Sequence, residues 1–68
     1  MATQIVMDRT GDTRHEFNPA DSVAIVAAEA RFKELTGAGF TAAARMGEGK
    51  SELLRVFDPS VEETVFYP

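Results

Sequence analysis

The sequence predicts an α+β fold in which one helix covers one face of a mixed sheet, with the elements in the order ββαβββ. Three observations predict it. A single stretch, Asn18 to Gly37 (NPADSVAIVAAEARFKELTG), is long enough and rich enough in Ala, Glu and Arg to form a helix of several turns. The runs before and after it are short, with strand-like alternation, and β-branched and aromatic residues concentrate in the last. Between the runs lie Gly, Asn, Asp and Ser in turn-forming combinations.

The chain has 68 residues, which makes one domain, residues 1–68. That is near the lower limit at which a hydrophobic core suffices without disulfides or metals. Cysteine is absent, which removes disulfides, thiolate metal sites and a cysteine nucleophile. The net charge of −4 has the wrong sign for binding a phosphate backbone, and the seven Lys and Arg residues are spread singly. No apolar run is long enough to cross a membrane, and MATQIVMDRT lacks the basic start and apolar stretch of a signal peptide. A cytoplasmic location is therefore expected, with no nucleic-acid and no membrane partner.

Residues 3–9 (TQIVMDR) read as a first strand, Ile5 and Met7 facing one side and Val6 the other. Thr10-Gly11-Asp12 supplies a turn. Residues 13–17 (TRHEF) alternate Thr13, His15 and Phe17 against Arg14 and Glu16, which completes a hairpin. Asn18 is placed as helix N-cap, with Pro19 at the first helical position and Asp21 in the first turn, where the helix dipole favours a negative charge. Gly37 is placed as the residue that ends the helix. At about 100° per residue, Ala24, Ile25, Ala28, Phe32 and Leu35 form the face expected to lie on the sheet. A second apolar strip, Val23, Val26, Ala27 and Ala30, reads either as helix margin or as a contact surface.

After Gly37-Ala38-Gly39, the run FTAAARM puts Phe40, Ala42, Ala44 and Met46 on one face and Thr41, Ala43 and Arg45 on the other. Alanine is a poor strand former, but the flanking glycines and short length favour a strand. Gly47-Glu48-Gly49-Lys50 reads as a turn, and residues 51–57 (SELLRVF) as the fourth strand. Residues 58–63 (DPSVEE) read as one helical turn, with Asp58 capping and Ser60/Glu63 at capping-box spacing. Val65, Phe66 and Tyr67 belong to the last strand. Phe17, Phe32, Phe40, Phe57 and Phe66 are the expected core anchors, with Met7 and Met46 beside them. The opposite sheet face is expected to be partly wet, carrying Arg14, Glu16, Thr41 and Arg45, with Leu53 and Phe66 as further candidates.

No stretch has the pattern of a catalytic, cofactor or metal site. Gly49-Lys50-Ser51 echoes a phosphate-binding loop, but Ala44 stands where that loop has its first Gly, and a strand follows instead of a helix. Gly37-Ala38-Gly39 echoes a dinucleotide fingerprint but lies after a helix, not before one. His15, with Asp8, Asp12 and Glu16 nearby in sequence, has no recognised ligand spacing and reads as a surface or sheet-face residue. Asp58, Glu62 and Glu63 form a small acidic cluster on a turn, where capping is the expected role and docking of a basic partner the alternative.

The opening hairpin from Thr3 to Phe17, the single helix from Pro19 to Thr36, the later strands and the capped DPSVEE turn resemble the β-grasp, or ubiquitin-like, family. The resemblance lies in element order across nearly the whole chain. It is closest to the small ubiquitin-like and sulfur-carrier proteins of bacteria, which are activated at a C-terminal Gly-Gly by an adenylating (E1-like) enzyme. Here the sequence ends Val65-Phe66-Tyr67-Pro68, without Gly-Gly. The resemblance implies a non-enzymatic protein modifier or protein-interaction module with protein partners, the adenylating enzyme among them if a Gly-Gly tail exists. The expected contact residues are Arg14, Thr41, Arg45 and Leu53 on the sheet, or Val23, Val26 and Ala30 on the helix. The alternative is a structural subunit, monomeric or weakly dimeric, that pairs through the helix strip or the terminal strand. A further alternative starts from GDTRHEF, the helix with Ala28 and Phe32, and GAGF, whose spacing is similar to the nucleic-acid-associated WGR domain. That family's Trp-Gly-Arg is absent.

Overall fold

The computed structural model describes residues 1–47 and 49–68; Glu48, part of the expected turn after the third strand, lies outside the described residues. The elements follow the expected order: β1 (Ala2–Asp8), β2 (Gly11–Phe17), α1 (Ser22–Gly37), β3 (Thr41–Met46), β4 (Lys50–Leu54) and β5 (Glu63–Tyr67). The strands form one mixed sheet in the spatial order β2-β1-β5-β3-β4. β1 pairs antiparallel with β2 and parallel with β5, and β3 pairs antiparallel with both β5 and β4.

The last strand is therefore central. Both edges of β5 are hydrogen-bonded, to β1 and to β3. This corrects the expectation that the terminal strand is free to pair with another chain. The strands with an open edge are β2 and β4.

The helix begins three residues later than the sequence suggests. Asp21, not Asn18, is the N-cap: its carboxylate accepts from the backbone N–H groups of Val23 (3.0 Å) and Ala24 (3.3 Å). Asn18 closes a turn just before it, its side-chain oxygen accepting from Ala20 N–H and its carbonyl from Asp21 N–H, both at 2.9 Å. Pro19 sits inside that turn, where its fixed φ is equally at home. Both residues are good caps, and the one nearer the apolar stripe satisfies two orphan donors. At the other end the helix runs through Gly37, and Gly39 takes the positive φ of 102°. Ala38 N–H donates back to the carbonyls of Glu34 and Leu35, and Gly39 N–H to that of Thr36.

The core lies between α1 and the sheet face that carries Ala2, Gln4 and Val6 of β1, Phe17 of β2, Phe66 of β5, and Ala42 of β3. Ala28 and Phe32 are the helix residues buried against it. The alanines that argued weakly for a strand find their reason here. Ala42 stands opposite Phe66 on the neighbouring strand and shares its cluster with Phe32, and the two rings meet edge-on at 5.7 Å. A small residue leaves room for two large ones in a close-packed layer. Phe57 closes the end of the core, 6.2 Å from Phe17 and 6.0 Å from Phe32. The methionines differ from expectation: Met7 and Met46 are 41% and 46% exposed. Phe66 is fully buried and belongs to the helix side, not to the wet face.

β4 ends at Leu54, and residues 55–62 form an irregular crossing back to β5. No helical turn forms at 58–62. Asp58 accepts instead from Ser60 N–H (2.9 Å) and Ser60 Oγ–H (2.6 Å), a side-chain turn that competes with the helical one. Glu63 is the first residue of β5, so the expected capping box is not made.

The open sheet face as candidate functional site

Strand register decides which residues share the face away from the helix, because directly paired residues point to the same side. One row crosses all five strands: Arg14, Ile5, Val65, Ala43 and Leu53. Met7, Asp12, Thr41 and Tyr67 lie on one side of it. Thr3, Glu16, Glu63, Arg45 and Ser51 lie on the other. The centre is apolar and already dense: Ile5 and Ala43 are buried although no helix covers them. Leu53 (54% exposed), Met7 and Tyr67 (41% each) stand around that centre.

Charge occupies the margins. Arg45 Nη1 donates to Glu63 Oε1 at 2.7 Å across the β3–β5 pair. Arg14 stands on the edge strand, opposite Ile5. The turn between β3 and β4 borders a cleft of about 270 Å³ lined by Ala43, Arg45, Val65, Tyr67 and Gly49 to Ser51. Gly49 holds φ at +76°, a conformation that suits glycine. The cleft's apolar floor, the Tyr67 ring and the polar rim offer contact area and a few directional hydrogen bonds.

The seven contact residues expected from sequence thus fall on two separate surfaces. Arg14, Thr41, Arg45 and Leu53 all lie on the open face, spread over β2, β3 and β4. Val23 and Val26 are 76% and 67% exposed on the outer side of α1, where they border Ser22, Ala27 and Ala30. Ile5, Met7, Val65 and Tyr67 complete the open face and were not singled out from the sequence. Their shared alternation with Thr41 and Arg45 is visible only once strand order is known.

Two exposed carboxylates, Asp8 and Asp58, are engaged by neighbours in their own turns. Asp8 accepts from Thr10 Oγ1–H (2.6 Å) and Thr10 N–H (2.8 Å), and these bonds hold its carboxyl below the usual carboxylate range. The Ser60 hydroxyl and N–H do the same for Asp58. Of the acidic cluster, Asp58 is bound by Ser60 and Glu63 by Arg45, so it does not act as one unit. His15 is half-buried on β2, paired in register with Gln4. Among the described residues no three His, Asp or Glu side chains converge as a metal site would require. Among the described residues no helix is long and apolar enough to cross a membrane.

Comparison with protein-family models, with curated proteins and with solved structures gives no match for this chain.

Proposed function

We propose that this chain is a non-enzymatic protein-interaction domain of the β-grasp type that docks a protein partner on its open sheet face. The observation that carries the reading is the composition of that face. Exposed Leu53, Met7 and Tyr67 surround a dense apolar centre, and Arg14 and Arg45 stand at its margin. Protein contact surfaces combine apolar and aromatic anchors with a polar rim in this way. The β-grasp assignment is supported by the single helix on one face of a mixed sheet, with a parallel pair at its centre. The ubiquitin-like modifier is the stronger form of the same proposal, with an adenylating enzyme as first partner.

Two experiments test these readings. A photo-crosslinking residue at position 53, in the protein expressed in its own cells, should capture a protein partner, and a matched probe at the buried position 66 should not. Equal labelling from both would overturn the open-face reading. For the modifier, mass analysis of N-terminally tagged protein from the same cells should find a Gly-Gly end and adducts that resist denaturation. A free form ending at Pro68 with no adducts removes it.

A second reading, a structural subunit that assembles through copies of itself, is favoured by the exposed Val23/Val26 strip on α1. Val26→Glu tests it, because a dimer seated there should fall to the 7.4 kDa monomer mass.

A further inference from the structure

The free edge of β2 carries charge in an order that is complementary to itself. Along Gly11–Phe17 the open-face residues are Asp12, Arg14 and Glu16. Their neighbours on β1 are Met7, Ile5 and Thr3, none of which is charged. The ion pairs among the described residues are Lys33–Glu29 and Arg45–Glu63, so Arg14 and Glu16 have no ionic partner among those residues. On the other side of β2 no strand is paired, and its outward backbone groups are a template for another strand.

We infer that β2 is the seat of a symmetric dimer, in which the β2 strands of two copies pair antiparallel about a two-fold axis through His15. In that register Arg14 lies opposite Glu16 of the second copy, and Glu16 opposite its Arg14. Thr13 faces Phe17, and His15 faces its own copy. Both ion pairs fall on the open face, because paired residues share a face. The sheet then runs continuously through both copies, and the symmetry makes every contact occur twice.

The neighbouring registers are worse. Centring the axis on Arg14 sets Arg14 against Arg14 and Asp12 against Glu16, like charges in direct opposition. Centring it on Thr13 pairs Asp12 with Arg14, but draws in Gly11, whose φ of +121° departs from extended strand, and the turn beyond it. With the axis on His15, the overlap from Thr13 to Phe17 lies wholly within β2. The other edge, β4, is shorter: five residues against seven. Its one oppositely charged register, Lys50 against Glu52, is centred on Ser51, a single residue from the strand's start. The inference shares Arg14 with the open-face reading but requires no other partner on that face, and it uses a different surface from the helix strip.

The test is the mass of the purified chain by sedimentation equilibrium up to millimolar concentration. Four chains are compared: wild type, Arg14→Glu, the double swap Arg14→Glu/Glu16→Arg, and Val26→Glu. Wild type should approach twice 7.4 kDa as concentration rises. Arg14→Glu should stay at the monomer mass. The double swap, which restores both ion pairs with reversed sign, should recover the dimer. Val26→Glu should behave as wild type. Because Arg14 and Glu16 are exposed, all variants should keep the wild-type circular dichroism spectrum. A wild type that stays monomeric throughout overturns the inference. So does a dimer indifferent to Arg14→Glu, a folded double swap that fails to recover, or a dimer lost in Val26→Glu.

Discussion

Arg31 and Gln4 meet across the helix–sheet interface: Arg31 Nη1 donates to Gln4 Oε1 at 2.8 Å. The other end of the Gln4 amide donates to the carbonyl of Ala28 at 3.0 Å. Gln4 is only 1% exposed, in a position where an apolar residue would be the default. Its amide is satisfied at both ends, and among the described residues no buried side-chain nitrogen or oxygen lacks a partner. The pair fixes how α1 sits along β1, because sliding the helix by one residue would break both bonds. Gln4→Leu should therefore destabilise the domain by about 1–3 kcal/mol, since half-buried Arg31 loses its acceptor. Urea unfolding of Gln4→Leu, Arg31→Met and the double variant measures the coupling. A sum of single effects equal to the double effect would mean that the bond contributes nothing.

The core should be sensitive in both directions. Phe66 is fully buried against Phe32, and Phe66→Ala should cost about 3–5 kcal/mol. Marginal stabilities of about 5 kcal/mol are common in small domains, so that variant should keep no more than about 2 kcal/mol and melt well below wild type by circular dichroism. Ala42→Leu should cost about 1–3 kcal/mol for the opposite reason, since the added atoms meet the rings of Phe66 beside it and Phe32 of the helix.

The cap position separates two residues that look alike in sequence. Asp21→Ala removes the acceptor for two helix N–H groups and should cost about 0.5–2 kcal/mol. Asn18→Ala, which removes only a turn contact to Ala20, should cost less. Thermal melts that rank the two the other way would return the cap to Asn18.

Acid should destabilise the fold through Asp8 and Asp58. Both carboxyls are held below their usual value, mainly by the side-chain hydroxyls of Thr10 and Ser60 and then by the backbone N–H groups of those residues. A carboxyl with a lower pKa in the folded chain contributes stability above its unfolded pKa. That contribution is lost as pH falls through the folded value. Stability should thus be level near neutrality and decline below the ordinary carboxylate range. Asp58→Asn should flatten that decline, read as the midpoint of thermal unfolding against pH. A slope unchanged by Asp58→Asn and by Asp8→Asn would rule the two turns out as its source.

On the open face, stability and contact should separate. Leu53 is exposed, and Leu53→Asp should shift stability by no more than about 0.5 kcal/mol. The exposed Arg45–Glu63 pair should be worth about 0–1 kcal/mol. Partner capture from a neighbouring probe position on this face should nevertheless fall sharply in Leu53→Asp. Capture unchanged by that charge would place the contact elsewhere.

The sequence by itself determined the five strands, the one long helix and their order, though not the short turn it placed at 58–63. Period-2 alternation marks β1, β2 and β3, and the stripe of Ala28, Phe32 and Leu35 marks the buried side of α1, because both signals are local consequences of backbone geometry. It also separated Thr41, Ala43 and Arg45 from Ala42 and Ala44 correctly, since alternation along one strand needs no knowledge of the others. What it left undecided depends on contacts between residues far apart in the chain. The tertiary structure alone decided that β5 is central and β2 and β4 are edges, and that Met7 looks outward while Val6 looks inward. It also decided that a glutamine belongs in the core. Which of two good caps starts the helix, and which nearby glycine follows its end, was settled by where packing anchors α1 on the sheet. The open face shows the same division. Alternation picked its Arg14, Thr41 and Arg45 and left Leu53 a candidate beside Phe66, but only the pairing of five strands sets them in register around Ile5, Val65 and Tyr67, because hydrogen bonds between strands bring distant residues side by side.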